Sequence, residues 1–326
     1  MLKIIKSGLQ TTVQDLGRFG FQKYGVIVSG AMDPFAHRTA NLLVGNEENA
    51  ATLEIAMVGP AIQFEEDTFI ALCGGDLSPE IDGTAIKMWR TVAVKEGSVL
   101  KFGAPRTGCR VYLAAAGGID VPDVMNSKST YLRAGIGGFH GRALKAGDLI
   151  PTHPVSPGHA ASLLHATDNE LEWKIAAPRY FNEPIVRMMK GRQYELFNND
   201  SKEKIFSEAF SISSHSDRMG YRLEGIKLSL EEPKELISEA VSFGSIQVPA
   251  DGNPIVLLAD RQTTGGYPKI GQVASVDLPL ISQLKPGDRI RFKEISVEEA
   301  QKRYIEQEYQ IRQLKIGIYL KREEWK

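Results

Sequence analysis

Cysteine is nearly missing from this chain. Cys73 and Cys109 are the only two in 326 residues, too few for a disulfide framework or a cysteine zinc site and in keeping with a reducing compartment. Both sulfurs read as packing groups. Net charge is missing as well: 39 Lys and Arg stand against 40 Asp and Glu, a balance of −1. That leaves no bulk field to gather phosphate backbones or anionic lipid, which excludes nucleic-acid binding as the main role. Long apolar runs are lacking too. The charge-free stretch Val111 to Ile119 falls far short of the roughly 20 residues that cross a bilayer, and the start, Met1 to Lys6, has no apolar signal core. The expectation is a cytoplasmic protein.

What is present is an ordinary globular composition, 42% apolar and 24% charged, over a length that suits about two domains. Glycine is abundant, 31 of 326, and falls between short segments rich in Val, Ile, Leu and Phe, the pattern of a mainly β chain with many turns. Strands are expected at Leu2 to Ile5, Ala61 to Phe64, Thr68 to Cys73, Val92 to Val94, Val99 to Phe102, Val111 to Ala115, Ile255 to Ala259 and Ile290 to Phe292.

Helices are few. Asp33 as N-cap, Pro34 at the first helical position and Gly45 as C-cap bound one, with Phe35, Thr39, Ala40 and Leu43 on a shared face. Ser296 to Glu299 has capping-box spacing, so a helix with Val297, Ala300 and Tyr304 as an apolar stripe follows the last strand. Leu-Lys-Ala-Gly-Asp-Leu-Ile at 144–150 is echoed by Leu-Lys-Pro-Gly-Asp-Arg-Ile at 284–290, the same turn before a strand in two halves of similar build. The Pro-containing, aperiodic stretch between them reads as a connector. The expected organisation is a domain at 1–150, a connector at 151–172, a domain at 173–295, and a helix and tail at 296–326.

Several motifs gather polar groups at turns. Thr11 to Arg18 places Gln14, Asp15 and Arg18 just past a strand, and an Asp–Arg pair at this spacing also serves simply to hold a loop. Ser29, Gly30, Ala31, Met32 and Asp33 lead into the first helix, where backbone N–H groups can face an anion, or where Asp33 merely caps its own helix. Arg261, Gln262, Thr263, Thr264, Gly265, Gly266 and Tyr267 pack a cation, an amide, hydroxyls and a Gly pair into one loop. Arg261 can hold a carboxylate or phosphate in two parallel bonds, and the glycines let backbone approach a ligand. Asp217 and Arg218 open a further polar turn, equally readable as a salt-bridged loop end.

Other patterns carry less. Gly135 to Arg142 resembles a phosphate loop, but a turn and strand follow it where a helix is required. Lys87 sits beside Met88 as in a biotin-attachment hairpin, but Ile86 replaces the first Met, so a strand-edge Lys is expected. His153, His159 and His165 share no element face and form no metal set.

Taken in order, TTVQDLGR, GVIVSGAMDPFAHRTANLLVGN, AAAGGID, SDRMGYRLEG and DRQTTGGYPKIGQVASVDL resemble the allophanate hydrolase subunit 2 or urea amidolyase-related family, also described as biotin-dependent carboxyltransferase-like, from about Thr11 to Phe292. The resemblance implies two tandem cyclophilin-like β-barrel domains. It implies a hydrolase component of an ATP-dependent 5-oxoprolinase that opens 5-oxo-L-proline to L-glutamate, working with partners that resemble the B and A subunits of that enzyme. ATP, Mg-bound, would be held by the heteromeric complex, and no biotin would be attached to this chain. Two alternatives stand beside it: a carboxyltransferase acting on urea or a related amide, and a regulatory protein that antagonises a kinase inhibitor of the B-subunit type. On this reading Arg261, Gln262 and Thr264 contact substrate or acyl-phosphate oxygens, Gly30 and Ala31 supply amide donors, and Asp15 and Asp33 carry or orient protons. Gln14, Arg18, Ser29, Thr263, Gly265, Gly266, Tyr267, Asp217 and Arg218 complete the substrate-binding set.

Overall fold

The computed structural model describes residues 1–154, 174–176, 178–181 and 183–323. His159, His165 and most of the expected connector lie outside them. The chain divides into two compact units: unit 1 comprises Met1–Arg18, Ser29–Arg179 and Tyr309–Lys326, and unit 2 comprises Phe19–Val28 and Tyr180–Glu308.

Unit 1 holds β1 (Leu2–Lys6), β2 (Gln10–Gln14), α1 (Pro34–Leu43), β3 (Thr52–Ala56), β4 (Ala61–Phe64), β5 (Thr68–Asp76), β6 (Pro79–Ile81), β7 (Thr84–Ala85), β8 (Thr91–Val94), β9 (Val99–Phe102), β10 (Thr107–Ala115) and β11 (Leu149–Ile150). They form a six-stranded sheet, β11-β1-β4-β9-β6-β7, and a five-stranded sheet, β2-β3-β10-β5-β8. Both sheets feed one core, with Leu2, Ile4, Ile62 and Phe64 from the first and Leu53, Ile55, Ile70, Leu72, Val111 and Leu113 from the second.

Strand side chains alternate between faces, so Thr52 and Glu54 of β3 and Tyr112 of β10 point away from that core. They are buried all the same, because α1 covers the outer face: its His37 meets Thr52, and the Asp33 amide before it meets Tyr112. This double covering explains why β3 is buried along its whole length.

Unit 2 holds β12 (Ile185–Lys190), α2 (Asn199–Ser207), β13 (Ala209–Ile212), β14 (Gly220–Glu224), β15 (Glu239–Ala240), β16 (Ser245–Gln247), β17 (Ile255–Leu257), β18 (Thr264–Gly265), β19 (Lys269–Val273), α3 (Leu278–Ser282) and β20 (Arg289–Glu294). Seven strands close a barrel in the order β12-β19-β16-β17-β14-β13-β20. Its seam is the parallel pair β12–β20, while the other pairs run antiparallel. Inward positions recur at every second residue, with Val186 and Met188, Phe210 and Ile212, and Ile290 and Phe292 all buried. Helix α4 (Val297–Glu323) follows β20.

A mainly β chain with a few helices is what the structure contains. Closure into a barrel is seen in unit 2. In unit 1 the consecutive strands β1 and β2 enter different sheets, so its strands are two facing sheets by hydrogen bonding. The turn repeated in sequence is also repeated in hydrogen bonding. In each copy the Asp carboxylate accepts from the Lys amide, Asp148 from Lys145 at 2.7 Å and Asp288 from Lys285 at 3.0 Å. Gly147 donates to the Ile4 carbonyl and Gly287 to that of Ile212, and both glycines have positive φ, 91° and 88°.

The α1 start follows its capping residue, with Asp33 accepting from the Ala36 amide at 2.9 Å; at the other end the C-cap is Val44, and Gly45 takes the left-handed conformation one residue beyond it, at φ 73°. For α4, Ser296 accepts from the Glu299 amide as a cap should. The expected stripe is corrected: Ala300 is buried, whereas Val297 and Tyr304 are about half exposed. The buried line of α4 runs instead through Ala300, Ile311 and Ile318.

Candidate functional site

In unit 1 the polar residues at the end of β2 and just after it form a closed knot. The Asp15 Oδ1 accepts from the Gly17 amide and the Ser127 hydroxyl, each at 2.8 Å, and from the Ser129 hydroxyl. Its Oδ2 accepts from the Lys128 amide at 2.7 Å. Arg18, fully buried, donates to the Val124 and Ser129 carbonyls at 2.8 Å. The Gln14 amide nitrogen donates to Thr12 and to the Thr130 carbonyl, while its carbonyl oxygen is buried with no protein partner among the described residues. These residues clamp the segment after β2 to residues 124–130.

Ser29 to Asp33 pack directly on that knot. A Cβ on Gly30, whose φ is +92°, would lie 2.9 Å from the Leu16 carbonyl oxygen, so the turn requires glycine. The Ala31 amide donates to the Asp15 carbonyl at 2.8 Å, the Met32 amide to Glu54 at 2.9 Å and the Asp33 amide to the Tyr112 hydroxyl at 2.8 Å. The amides of Ala31 and its two successors are therefore turned to protein acceptors, and Asp33 caps its helix. The Ser29 hydroxyl is buried with no partner among the described residues.

Beneath α1 lies a polar layer that sequence reading missed. Glu54 accepts from the Tyr112 hydroxyl at 2.8 Å, with the Arg110 Nε 3.9 Å from its other oxygen. Burial, then the neighbouring Glu54 and Asp33, push the Tyr112 phenol well above its ordinary range. Burial drives His37 down from 6.5 to about 4, which keeps it neutral beside Thr52. The signal in the sequence was the strict alternation Thr52-Leu53-Glu54-Ile55-Ala56, which puts a carboxylate on the face opposite Leu53 and Ile55.

In unit 2 the structure joins the two motifs named above. Arg218 and Asp260 form a buried two-pronged ion pair, and the Asp260 amide donates to the Arg218 carbonyl at 2.8 Å. Asp217 accepts from the Met219 and Gly220 amides and shapes the turn.

Arg261 follows immediately. Its Nη1 donates to the Leu258 carbonyl at 3.2 Å, its guanidinium lies over the Phe243 ring at 5.7 Å, and no carboxylate among the described residues is within ion-pair distance. Burial, only partly offset by Asp260, lowers its pKa from 12.5 to about 10. Gln262 and Thr264 are exposed and Thr263 half-buried. Gly265 sits where a Cβ would meet the Gln247 amide nitrogen at 2.6 Å. Gly266 and Tyr267 line an apolar cavity of about 660 Å³ with Phe197, Leu230, Leu236 and Val248. A desolvated guanidinium with spare donors beside a hydroxyl-bearing loop is suited to hold an anionic or developing oxyanion group.

Residues 24–294 match the family model described as carboxyltransferase domain, subdomain A and B. The chain belongs to this family. It is 41% identical over 94% of its length to the 5-oxoprolinase C subunit of Escherichia coli K12, covering 97% of that protein. It is 37% identical over 93% of its length to the 5-oxoprolinase C subunit of Haemophilus influenzae, covering 94% of that protein. Among solved structures, the urea carboxylase of Kluyveromyces lactis superposes with a TM-score of 0.84 at 30% identity, over 95% of this chain and 29% of that one.

The motifs that carried less in the sequence have structural places in this carboxyltransferase-family fold. The glycine loop at 135–141 turns its amides inward: Gly138 donates to the Lys128 carbonyl and Gly141 to that of Gly137. It leads to β11 and not to a helix, so it does not form a phosphate cradle. Ile86 is in the unit 1 core, so Lys87 follows a strand edge and does not stand at a carrier hairpin tip. Cys73 and Cys109 are buried and unbridged. His153 is exposed beside Asp120 at 3.4 Å. Among the described residues no group of three or more His, Cys, Asp or Glu forms a metal set, and no helix is long and apolar enough to cross a membrane.

Proposed function

We propose that this chain is a component of an ATP-dependent 5-oxoprolinase, acting in the cytoplasm with partners of the B-subunit and A-subunit types. The likeness to two bacterial 5-oxoprolinase C subunits over nearly their full lengths supports the reaction. The observation that carries the site is Arg261, a largely buried guanidinium with no carboxylate counter-ion among the described residues. It is assigned to the carboxylate or acyl-phosphate oxygens of the substrate, with Gln262 and Thr264 contributing exposed donors. For the fold, we read unit 1 as a second barrel of cyclophilin-like build, a reading supported by its single core and by the repeated turn.

A lactam is a resonance-stabilised amide and a poor electrophile, so its hydrolysis at neutral pH needs activation. ATP supplies this by phosphorylating the lactam oxygen and making a leaving group. The inward-turned glycine loop does not fit the phosphates, so we assign ATP and its Mg to the complex and place no nucleotide step on this chain. Its own residues orient the substrate and hold developing negative charge. Asp15 and Asp33, each engaged by backbone donors, are assigned to positioning the loops around Ser29 to Ala31.

The likeness to a urea carboxylase structure favours one second reading, carboxyl transfer to an amide by the same oxyanion-holding loop. Isothermal titration of the assembled complex separates them. Binding of 5-oxoproline that weakens at least about tenfold in Arg261→Ala supports the first reading, whereas binding of urea alone supports the second. Binding of both amides unchanged by Arg261→Ala overturns the site.

A further inference from the structure

Helix α4 has apolar side chains on two faces. Ala300, Ile311 and Ile318 are buried, and at about 100° per residue they fall within about 20° of one another. Ile305, Tyr309, Ile316, Tyr319 and Leu320 lie on another side of the helix, within an arc of about 100°, and all are between 55% and 68% exposed. This outer stripe runs for about 22 Å. It lies beyond residues 24–294, the part that matches the family model.

Charge is sorted along the same helix. Residues before its midpoint carry Glu298, Glu299, Glu306 and Glu308 against Lys302 and Arg303; those after it carry Arg312, Lys315, Lys321 and Arg322 against Glu323. We propose that the stripe seats a second copy of this chain, helix against helix, in antiparallel orientation.

Centred between residues 312 and 313, that pairing sets Ile305 opposite Leu320 and Tyr309 opposite Ile316. On one flank it sets Glu308 opposite Lys315, twice over by symmetry. A parallel two-fold pairing instead sets Glu308 beside Glu306 of the other copy, a like-charge contact. Lys315 now rests 3.6 Å from Glu48 and 3.7 Å from Glu47, contacts long enough to yield to a closer partner. Arg312 lies at the two-fold axis near its own symmetry mate, which weakens the pairing. Five large side chains per copy make an interface at or below about 1,200 Å² in total, so the association depends on concentration.

Sedimentation velocity on the full chain over about two decades of concentration tests this. The expected result is a monomer–dimer equilibrium that Ile316→Glu and Tyr309→Ser each shift at least about tenfold toward monomer. Glu308→Lys weakens it, Glu308→Lys with Lys315→Glu restores it, and Arg312→Leu tightens it. Thermal unfolding confirms that each exposed-site variant stays folded. A wild-type chain that remains monomeric throughout overturns the proposal. So does a dimer indifferent to both apolar variants, or a charge swap that fails to restore it.

Discussion

The Arg218 guanidinium and the Asp260 carboxylate meet Nε to Oδ2 at 2.9 Å and Nη2 to Oδ1 at 3.0 Å, with side chains only 6% and 7% exposed. The pair locks the turn before β14 to the residue that precedes Arg261. Removing one partner strands a buried charge, so Asp260→Ala should cost about 3–5 kcal/mol. The double variant Arg218→Met with Asp260→Leu should cost clearly less. Urea unfolding at constant pH measures both, and a loss below about 1 kcal/mol for Asp260→Ala would refute the locking role.

Arg261 is expected to behave differently, because its guanidinium faces no carboxylate among the described residues. Arg261→Ala should leave the midpoint of thermal unfolding within a few degrees of wild type while abolishing catalysis by the assembled complex. Arg261→Lys should restore little, since a point charge cannot reproduce a two-pronged grip. Unfolding scans and steady-state rates on the same preparations show whether the two effects separate.

At Gly30 the backbone has a positive φ, and a Cβ would press on the Leu16 carbonyl. Gly30→Ala should therefore destabilise unit 1 by about 1–3 kcal/mol, combining φ strain with a backbone clash. Gly147→Ala, also at positive φ but in open space, should fall at the low end of that range. Equal effects at the two sites would mean that packing of Ser29 to Ala31 on Leu16 contributes nothing.

His37 gives a pH signature. Its folded pKa of about 4 lies below the unfolded 6.5 because burial disfavours the charged ring. Between those values the unfolded chain binds a proton that the folded chain does not. This contribution to stability is complete above pH 6.5 and is lost as pH falls toward 4, at up to about 1.4 kcal/mol per pH unit. Denaturation of His37→Asn across the window should show a shallower slope than wild type, and identical slopes would remove His37 as the cause.

Much of the fold was legible because local chemistry decides it. Asp33, Pro34 and Ser296 mark helix starts by capping, and the β4 and β9 runs have their observed ends. Most strands of unit 2 were missed; among them β12 (IVRMMK), β14 (GYRLE) and β19 (KIGQV) carry charged or polar residues at outward positions. Their buried apolar side chains number only two each, too few for a period to show. The site was legible as clusters of polar residues at turns, but not the direction in which they bond. Sequence spacing showed neither that Ala31 spends its amide on Asp15 nor that Arg218 is claimed by Asp260, 42 residues further on. Glu54 escaped notice because its burial depends on a helix contributed by a separate segment of chain.

The most direct test of the account is ATP-dependent loss of 5-oxoproline by reconstituted partners of the A-subunit and B-subunit types, with this chain omitted, added as wild type, or added as Arg261→Ala, following glutamate and ADP together. The account predicts glutamate only with the wild-type chain present, and a complex that still assembles but is inactive with Arg261→Ala. Glutamate formed equally without this chain would contradict it.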